Sequence, residues 1–177
     1  MSGANFTVYL YPEAHILPRR LRLLDAAARY TGRETAGWQR EEETSGRPFF
    51  RQAPDVHFSI SHSGAFWACA LGASPVGLDI QQQISCDVSK LSRRFFHPRE
   101  NSTLAAVEYA LPAFFEIWTA KESFVKYTGE GILSGFDTFD ITAPLPQGAQ
   151  LRPLSAPPGY SMCLCAARVD EVTVIRL

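Results

Sequence analysis

From Leu111-Pro112 to Gly129 the chain reads as one helix whose apolar residues do not keep to a stripe. Phe114, Phe115, Ile117, Trp118, Phe124 and Val125 fall around much of its circumference. A helix of that kind must be covered on several sides by other layers. Inside it, Trp118-Thr119-Ala120-Lys121-Glu122-Ser123-Phe124-Val125-Lys126 places a carboxylate and an ammonium four residues apart, Glu122 and Lys126, on one face. On a solvated helix such a pair adds about 0.2–0.5 kcal/mol. On a covered helix it needs further polar partners, which a metal, a phosphate or a substrate supplies.

With 177 residues and 46% hydrophobic content the chain supports one large domain or two small, closely packed halves. A formal net charge of −1 excludes a general nucleic-acid binder. Arg19, Arg20 and Arg22, and again Arg93 and Arg94, form local basic clusters, solvated faces or anion sites. No uninterrupted apolar stretch reaches the roughly 18 residues of a membrane span, and the start Met1-Ser2-Gly3-Ala4-Asn5-Phe6 lacks a signal-peptide pattern. The expectation is a cytoplasmic monomer with neither nucleic-acid nor membrane partners. Cys69, Cys86, Cys163 and Cys165 have no spacing suited to zinc and read as buried, reduced thiols.

Periodicity places a strand at residues 6–10 and a helix at 19–30, with Leu21, Leu24, Ala27 and Ala28 at helical spacing and Gly32 as the stop. Residues 34–54 are polar and read as mostly surface loop. Three strands, 56–60, 65–71 and 76–80, follow with tight connections and read as a meander. On the third, Asp79 and Gln81 point the same way. Helices are expected at 89–96 and 98–110, where Pro98 suits a first turn and Glu100 its free amides. The long helix ends at Gly129, with Gly131 close behind. A strand at 136–142, a Pro-rich loop at 143–159 and strands at 160–167 and 172–175 complete the chain. Both halves hold a strand, helices and antiparallel strands, which suggests two similar lobes without a linker, 1–80 and 81–177.

Two hard oxygen ligands from a strand end and a helix, Asp79 and Glu122, suit Mg²⁺ together with substrate phosphates. Lys126 would then neutralise charge on a transferred phosphorus or its leaving oxygen. Ser61 and His62 at a strand end have the chemistry to bind phosphate. As a nucleophile pair they fail, because neighbours on an extended chain point to opposite faces.

Five segments in order, Gly46-Arg47-Pro48, Phe58-Ser59-Ile60-Ser61-His62-Ser63-Gly64, Gly77-Leu78-Asp79-Ile80, Arg94-Phe95-Phe96 with Glu100, and Trp118 to Lys126, resemble the 4′-phosphopantetheinyl transferases of the surfactin-synthetase-activating type. Tyr160 to Ala167 is similar to that family's last strand, so the resemblance runs from about Gly46 to Ala167. It implies an α+β fold of two lobes related by a pseudo-twofold axis, each an antiparallel sheet packed with helices, with coenzyme A between them. It implies transfer of the phosphopantetheine arm to a serine of an acyl or peptidyl carrier protein. By position, Arg47 matches a cation near the coenzyme's phosphates, and Ser61 and His62 match residues at its 3′-phosphate. Asp79 and Glu122 match Mg²⁺ ligands, and Glu122 also the proposed general base. Lys126 matches a lysine on the diphosphate, and Glu100 a further acidic residue near the active site.

The chain departs from the family pattern at two places. Gln81 stands where a glutamate usually follows the aspartate; its amide oxygen can serve a metal site but brings no charge. The amino-terminal lobe is short, which leaves Arg19, Arg20 and Arg22 as the candidates for the 3′-phosphate. Both departures also admit a different kind of protein, a module that binds coenzyme A or a carrier without turnover.

Overall fold

The structure, a computed structural model, describes residues 4–129 and 135–177. Gly131 and the first three residues, read above from sequence, lie outside them. The fold is α+β. One sheet has six strands in the order β2 (Arg40–Glu42), β3 (Pro48–Phe50), β4 (His57–Ser63), β5 (Phe66–Gly72), β1 (Asn5–Pro12) and β9 (Glu171–Arg176). The other has three, β6 (Val76–Gln82), β8 (Tyr160–Ala166) and β7 (Gln150–Pro153). Every pairing is antiparallel except β1 with β9, where the carboxy-terminal strand crosses over to the larger sheet. The helices are α1 (Arg19–Thr31), α2 (Val88–Phe95), α3 (Pro98–Ala106) and α4 (Leu111–Thr128).

The two-residue period of the strands builds the layers. Phe6, Val8 and Leu10 of β1, with Ala68 and Ala70 of β5, pack against Val76, Leu78 and Ile80 of β6 and Met162 and Leu164 of β8. The intervening residues, Tyr9, Tyr11, Cys69 and Leu71, face α1 through Leu23, Ala26 and Ala27. On its far side the smaller sheet receives α4, whose Phe124 and Tyr127 meet Cys165. The order is therefore helix, sheet, sheet, helix. The all-round apolar character of α4 follows, since α2 and α3 pack on it as well through Phe96, Leu104 and Phe114.

Several expectations are corrected. The strand at 76–80 does not continue the meander: β6 leaves β5 and pairs with β8. Its alternation is the same in either sheet, so periodicity cannot choose between them. Residues 34–54 are mostly loop, as expected, but β2 and β3 within them extend the larger sheet and Phe50 and Ala53 are fully buried. Residues 136–142 form a 3-10 turn at Phe136–Thr138 and irregular chain, not a strand. The Pro-rich loop holds the short edge strand β7. On α1 the buried stripe is Leu23, Ala26 and Ala27, one position off the expected register, and Leu21 is exposed. Three cysteines are buried and free, whereas Cys86 is half-buried.

Helix α4 crosses β6 at Gly77, where a Cβ would stand 1.9 Å from the Ser123 carbonyl and 2.6 Å from the Tyr127 nitrogen. Both are backbone atoms of one helix and cannot step aside. This contact brings the helix face carrying Glu122 and Lys126 to the strand face carrying Asp79. Gly77→Ala should therefore cost about 3 kcal/mol or more, seen as a large fall in melting temperature. A variant that melts like the wild type would mean that α4 does not sit this close.

Candidate active site

Three serines on β4 prepare the site. Ser59, Ser61 and Ser63 share one face of the strand and accept the backbone N–H groups of Leu78, Ile80 and Gln82 at 3.0, 3.2 and 3.0 Å. Those amides belong to β6, the outer strand of the smaller sheet, so side chains of one sheet satisfy the open edge of the other. The hydroxyls still have a proton to give. Ser61 donates to Asp79 Oδ1 at 2.7 Å and Ser63 to Gln81 Oε1 at 3.1 Å. Each rung thus fixes one amide of β6, and the rungs at Ser61 and Ser63 fix a polar side chain as well.

Lys126, reaching over from the last turn of α4, donates to the same Asp79 Oδ1 at 2.7 Å and to the Leu78 carbonyl at 3.1 Å. Asp79 is almost completely buried, and its Oδ2 has no hydrogen-bond partner. Glu122 is buried beside it. Burial raises the Glu122 carboxyl above the ordinary range, the Asp79 charge raises it further, and Lys126 opposes both. Two neighbouring buried carboxylates, one with an oxygen left without a partner, are a donor set suited to a hard divalent cation. Among the described residues no three His, Cys, Asp or Glu side chains cluster as a metal set. Further ligands would therefore be an amide such as Gln81, waters or a substrate.

Glu122 and Lys126 open into a cavity of about 330 Å³ lined also by Arg40, Arg47, Ser59 and Ile60, within the usual size of small-molecule sites. Arg47 is fixed by a 2.5 Å bond from its guanidinium to the Tyr127 carbonyl, while its Nε is buried without a partner. Arg40 and Ile60 also line a second cavity, with Arg19, Arg20, Trp38 and Trp67. Glu122 and Lys126 thus line one cavity, arginines with indoles line its neighbour, and Arg40 and Ile60 belong to both.

The structure brings Asp79, Glu122, Lys126 and Arg47 together. It separates Ser61 from His62: Ser61 lies behind Asp79 with its donor used there, and His62 is exposed on the opposite face of β4, close enough for its charge to act on Glu13. Of the amino-terminal arginines, Arg22 is buried and bonded to the Leu17 and Glu13 carbonyls, and Arg19 pairs with Glu13. Arg20 and Arg19 line the second cavity. Glu100 is in neither; fully buried, it pairs with Lys121 at 2.6 Å. Sequence reasoning missed Trp38 and Arg40, which sit in what read as loop. It also missed the serine ladder, whose signal was serine at every second position of Phe58-Ser59-Ile60-Ser61-His62-Ser63.

Residues 75–171 match the model of the 4′-phosphopantetheinyl transferase superfamily. A 4′-phosphopantetheinyl transferase of Bacillus subtilis is 33% identical over 158 residues, 82% of this chain and 70% of the relative. The 4′-phosphopantetheinyl transferase Sfp of Bacillus subtilis strain 168 is 34% identical over 73% of this chain and 65% of its own length. The psf-1 enzyme of Bacillus pumilus is 34% identical over 72% and 60%. The chain belongs to the 4′-phosphopantetheinyl transferase superfamily, and it spans between 60% and 70% of the length of these three relatives.

The Glu122 carboxyl gives a prediction with a definite sign. A carboxyl whose folded pKa lies above its unfolded one favours the folded state while protonated. That contribution is complete below the unfolded pKa and lost as pH rises through the folded pKa. At neutral pH and without metal, ionised Glu122 therefore works against folding, and Glu122→Gln should raise the melting temperature. The gain should vanish below about pH 4, where the unfolded carboxyl is itself protonated. A variant that melts lower at neutral pH would show that Glu122 is satisfied as an anion.

Proposed function

We propose that this chain transfers the 4′-phosphopantetheine arm of coenzyme A to a serine of an acyl or peptidyl carrier protein, releasing 3′,5′-ADP, with Mg²⁺ as cofactor. The observation that carries the reading is the convergence of Asp79, Glu122 and Lys126 beside a cavity also lined by Arg40 and Arg47, next to a second cavity lined by Arg19, Arg20 and two indoles. The diphosphate lies along Lys126 and Arg47. The nucleotide extends past Arg40 toward Arg19, Arg20 and Trp38, with His62 on the same face of β4. Ser61 serves the Lys126 end indirectly, by holding Asp79.

Asp79, Glu122 and Gln81 would hold the metal, which when bound polarises the phosphoryl oxygens and offsets their charge. The carrier serine hydroxyl attacks the β-phosphorus, its proton passes to Glu122, and the bond from that phosphorus to the oxygen bridging it to the α-phosphate breaks. Lys126 stabilises the charge that collects on the departing 3′,5′-ADP. Most of the acceleration comes from positioning and from charge placed where the transition state develops it. The cellular setting is the cytoplasm, and the active unit a monomer.

Incubation of apo-carrier proteins with this chain, coenzyme A and Mg²⁺, followed by intact-mass measurement, tests the reading. One carrier should gain a single phosphopantetheine arm, and Glu122→Gln should lower the rate on the order of a hundredfold or more. Full activity in that variant, or no mass gain on any fatty-acid, polyketide or peptide carrier, would overturn the proposal.

Gln81→Glu tests the metal site separately, since a charged oxygen on the face of Asp79 should lower the Mg²⁺ concentration for half-maximal transfer and change saturated turnover less. Unchanged metal dependence with a lower melting temperature at every Mg²⁺ level would remove Gln81 from the site.

A further inference from the structure

Glu100 and Lys121 are fully buried and ion-paired at 2.6 Å, yet they belong to none of the cavities above. A buried ion pair is poor evidence of stability, because desolvation of both charges offsets their attraction. Its other bonds give it a task. Lys121 Nζ also donates to the Phe139 carbonyl at 2.7 Å and stands 4.1 Å from the centre of the Phe139 ring. Glu100 Oε1 accepts the Ile141 N–H at 2.9 Å, and its Oε2 accepts the His97 N–H at 2.9 Å. The pair therefore joins the start of α3, the middle of α4 and the irregular chain at 139–141.

That chain needs such a hold, since residues 139–141 belong to no strand or helix. Just before them, Gly135, Phe136 and Asp137 form one wall of a cavity whose other lining residues are Arg94, Phe95, Trp118 and Glu122. The Phe136 ring meets Trp118 edge-on at 5.4 Å. Glu122 thus lines both this cavity and that of Lys126 and Arg47. Lys121 and Glu122 are neighbours about 100° apart around α4, so one turn of helix holds the reacting carboxylate and the anchor of the wall beside it.

We propose that Glu100 and Lys121 are positioning residues, a buried strut that holds segment 135–141 against α4 and so fixes the wall along which the acceptor hydroxyl reaches Glu122. The strut touches neither coenzyme nor reacting atoms. Its catalytic consequence rests on the transferase reading above; its structural consequence does not.

The test replaces both charges in the full chain. Glu100→Met combined with Lys121→Met substitutes an apolar pair of similar length, a change that is often neutral or stabilising for a buried ion pair. The expected result is a near-unchanged melting temperature, amide exchange at 135–142 faster by about tenfold or more with β8 unaffected, and kcat for carrier modification lower by about tenfold with KM for coenzyme A unchanged. Glu100→Gln with Lys121→Gln keeps hydrogen-bonding groups in place and should return kcat to within about threefold of the wild type. Wild-type exchange at 135–142 in the methionine pair, or a wild-type kcat, would overturn the strut. Should that pair not fold, the Ile141 amide of the wild type decides: it must exchange as slowly as α4, and loop-like exchange there refutes the strut. A wild-type chain that modifies no carrier sinks the transferase reading alone and leaves exchange to decide the strut.

Discussion

The open edge of the smaller sheet is the constraint around which the site is built. A strand edge presents unpaired amides that must be covered, and here the cover comes from hydroxyls on a strand of the other sheet. Because serine both accepts and donates, closing the edge also fixes what β6 displays. Ser61 cannot accept from Ile80 and donate to Asp79 unless β4 and β6 keep one relative position. The distance between the sheets, the direction of the Asp79 carboxylate and the oxygen left bare on it are consequences of one set of bonds. On the face of β6 that carries Asp79, Gly77 lets α4 come close enough for Lys126 to take the other claim on Asp79 Oδ1.

How much of this was legible in the sequence differs by scale. Asp79, Glu122 and Lys126 were legible because their surroundings are covalent neighbours: a charged pair in an apolar helix, and an aspartate ending an apolar run. The departure of β6 from the meander was not, since Val76, Leu78 and Ile80 have an apolar face to bury in either sheet. Only the partner strand β8, some eighty residues later, settles which sheet that is. Residues 136–142 misled for a different reason. Their Phe and Ile spacing suits a strand, but the Phe139 carbonyl and the Ile141 amide bond to the side chains of Lys121 and Glu100, so no ladder forms.

The arginines show the same limit. Three of them close together at the start of α1 look alike as a cluster, yet Arg22 is spent on the backbone carbonyls of Leu17 and Glu13, while Arg19 and Arg20 line the second cavity. Sequence shows the number of charges near a place, not which of them face a ligand. Arg40 and Trp38 reach that cavity because β2 and β3 extend the larger sheet past β4, and nothing in the polar composition of residues 34–54 announces that.

The two buried charge clusters on α4 divide the work of the helix by how completely each is satisfied. Around Lys121 the bonds run to a carboxylate, a carbonyl and a ring, and Glu100 accepts two backbone amides besides. Such a cluster has nothing left to offer a ligand and can only hold structure. Around Glu122 and Lys126, one and five residues on, Asp79 keeps an oxygen without a partner, Arg47 a buried nitrogen without one, and Glu122 is an acid raised by burial beside another carboxylate. Unmet polar groups in a low-dielectric place disfavour the folded chain standing alone. A ligand bringing both positive and negative charge would satisfy both kinds at once, the cation at Asp79 and Glu122 and the anion at Arg47 and Lys126. The helix is thus anchored at its complete cluster and reactive at its incomplete one, and the incompleteness is what makes a metal with a diphosphate the complementary guest.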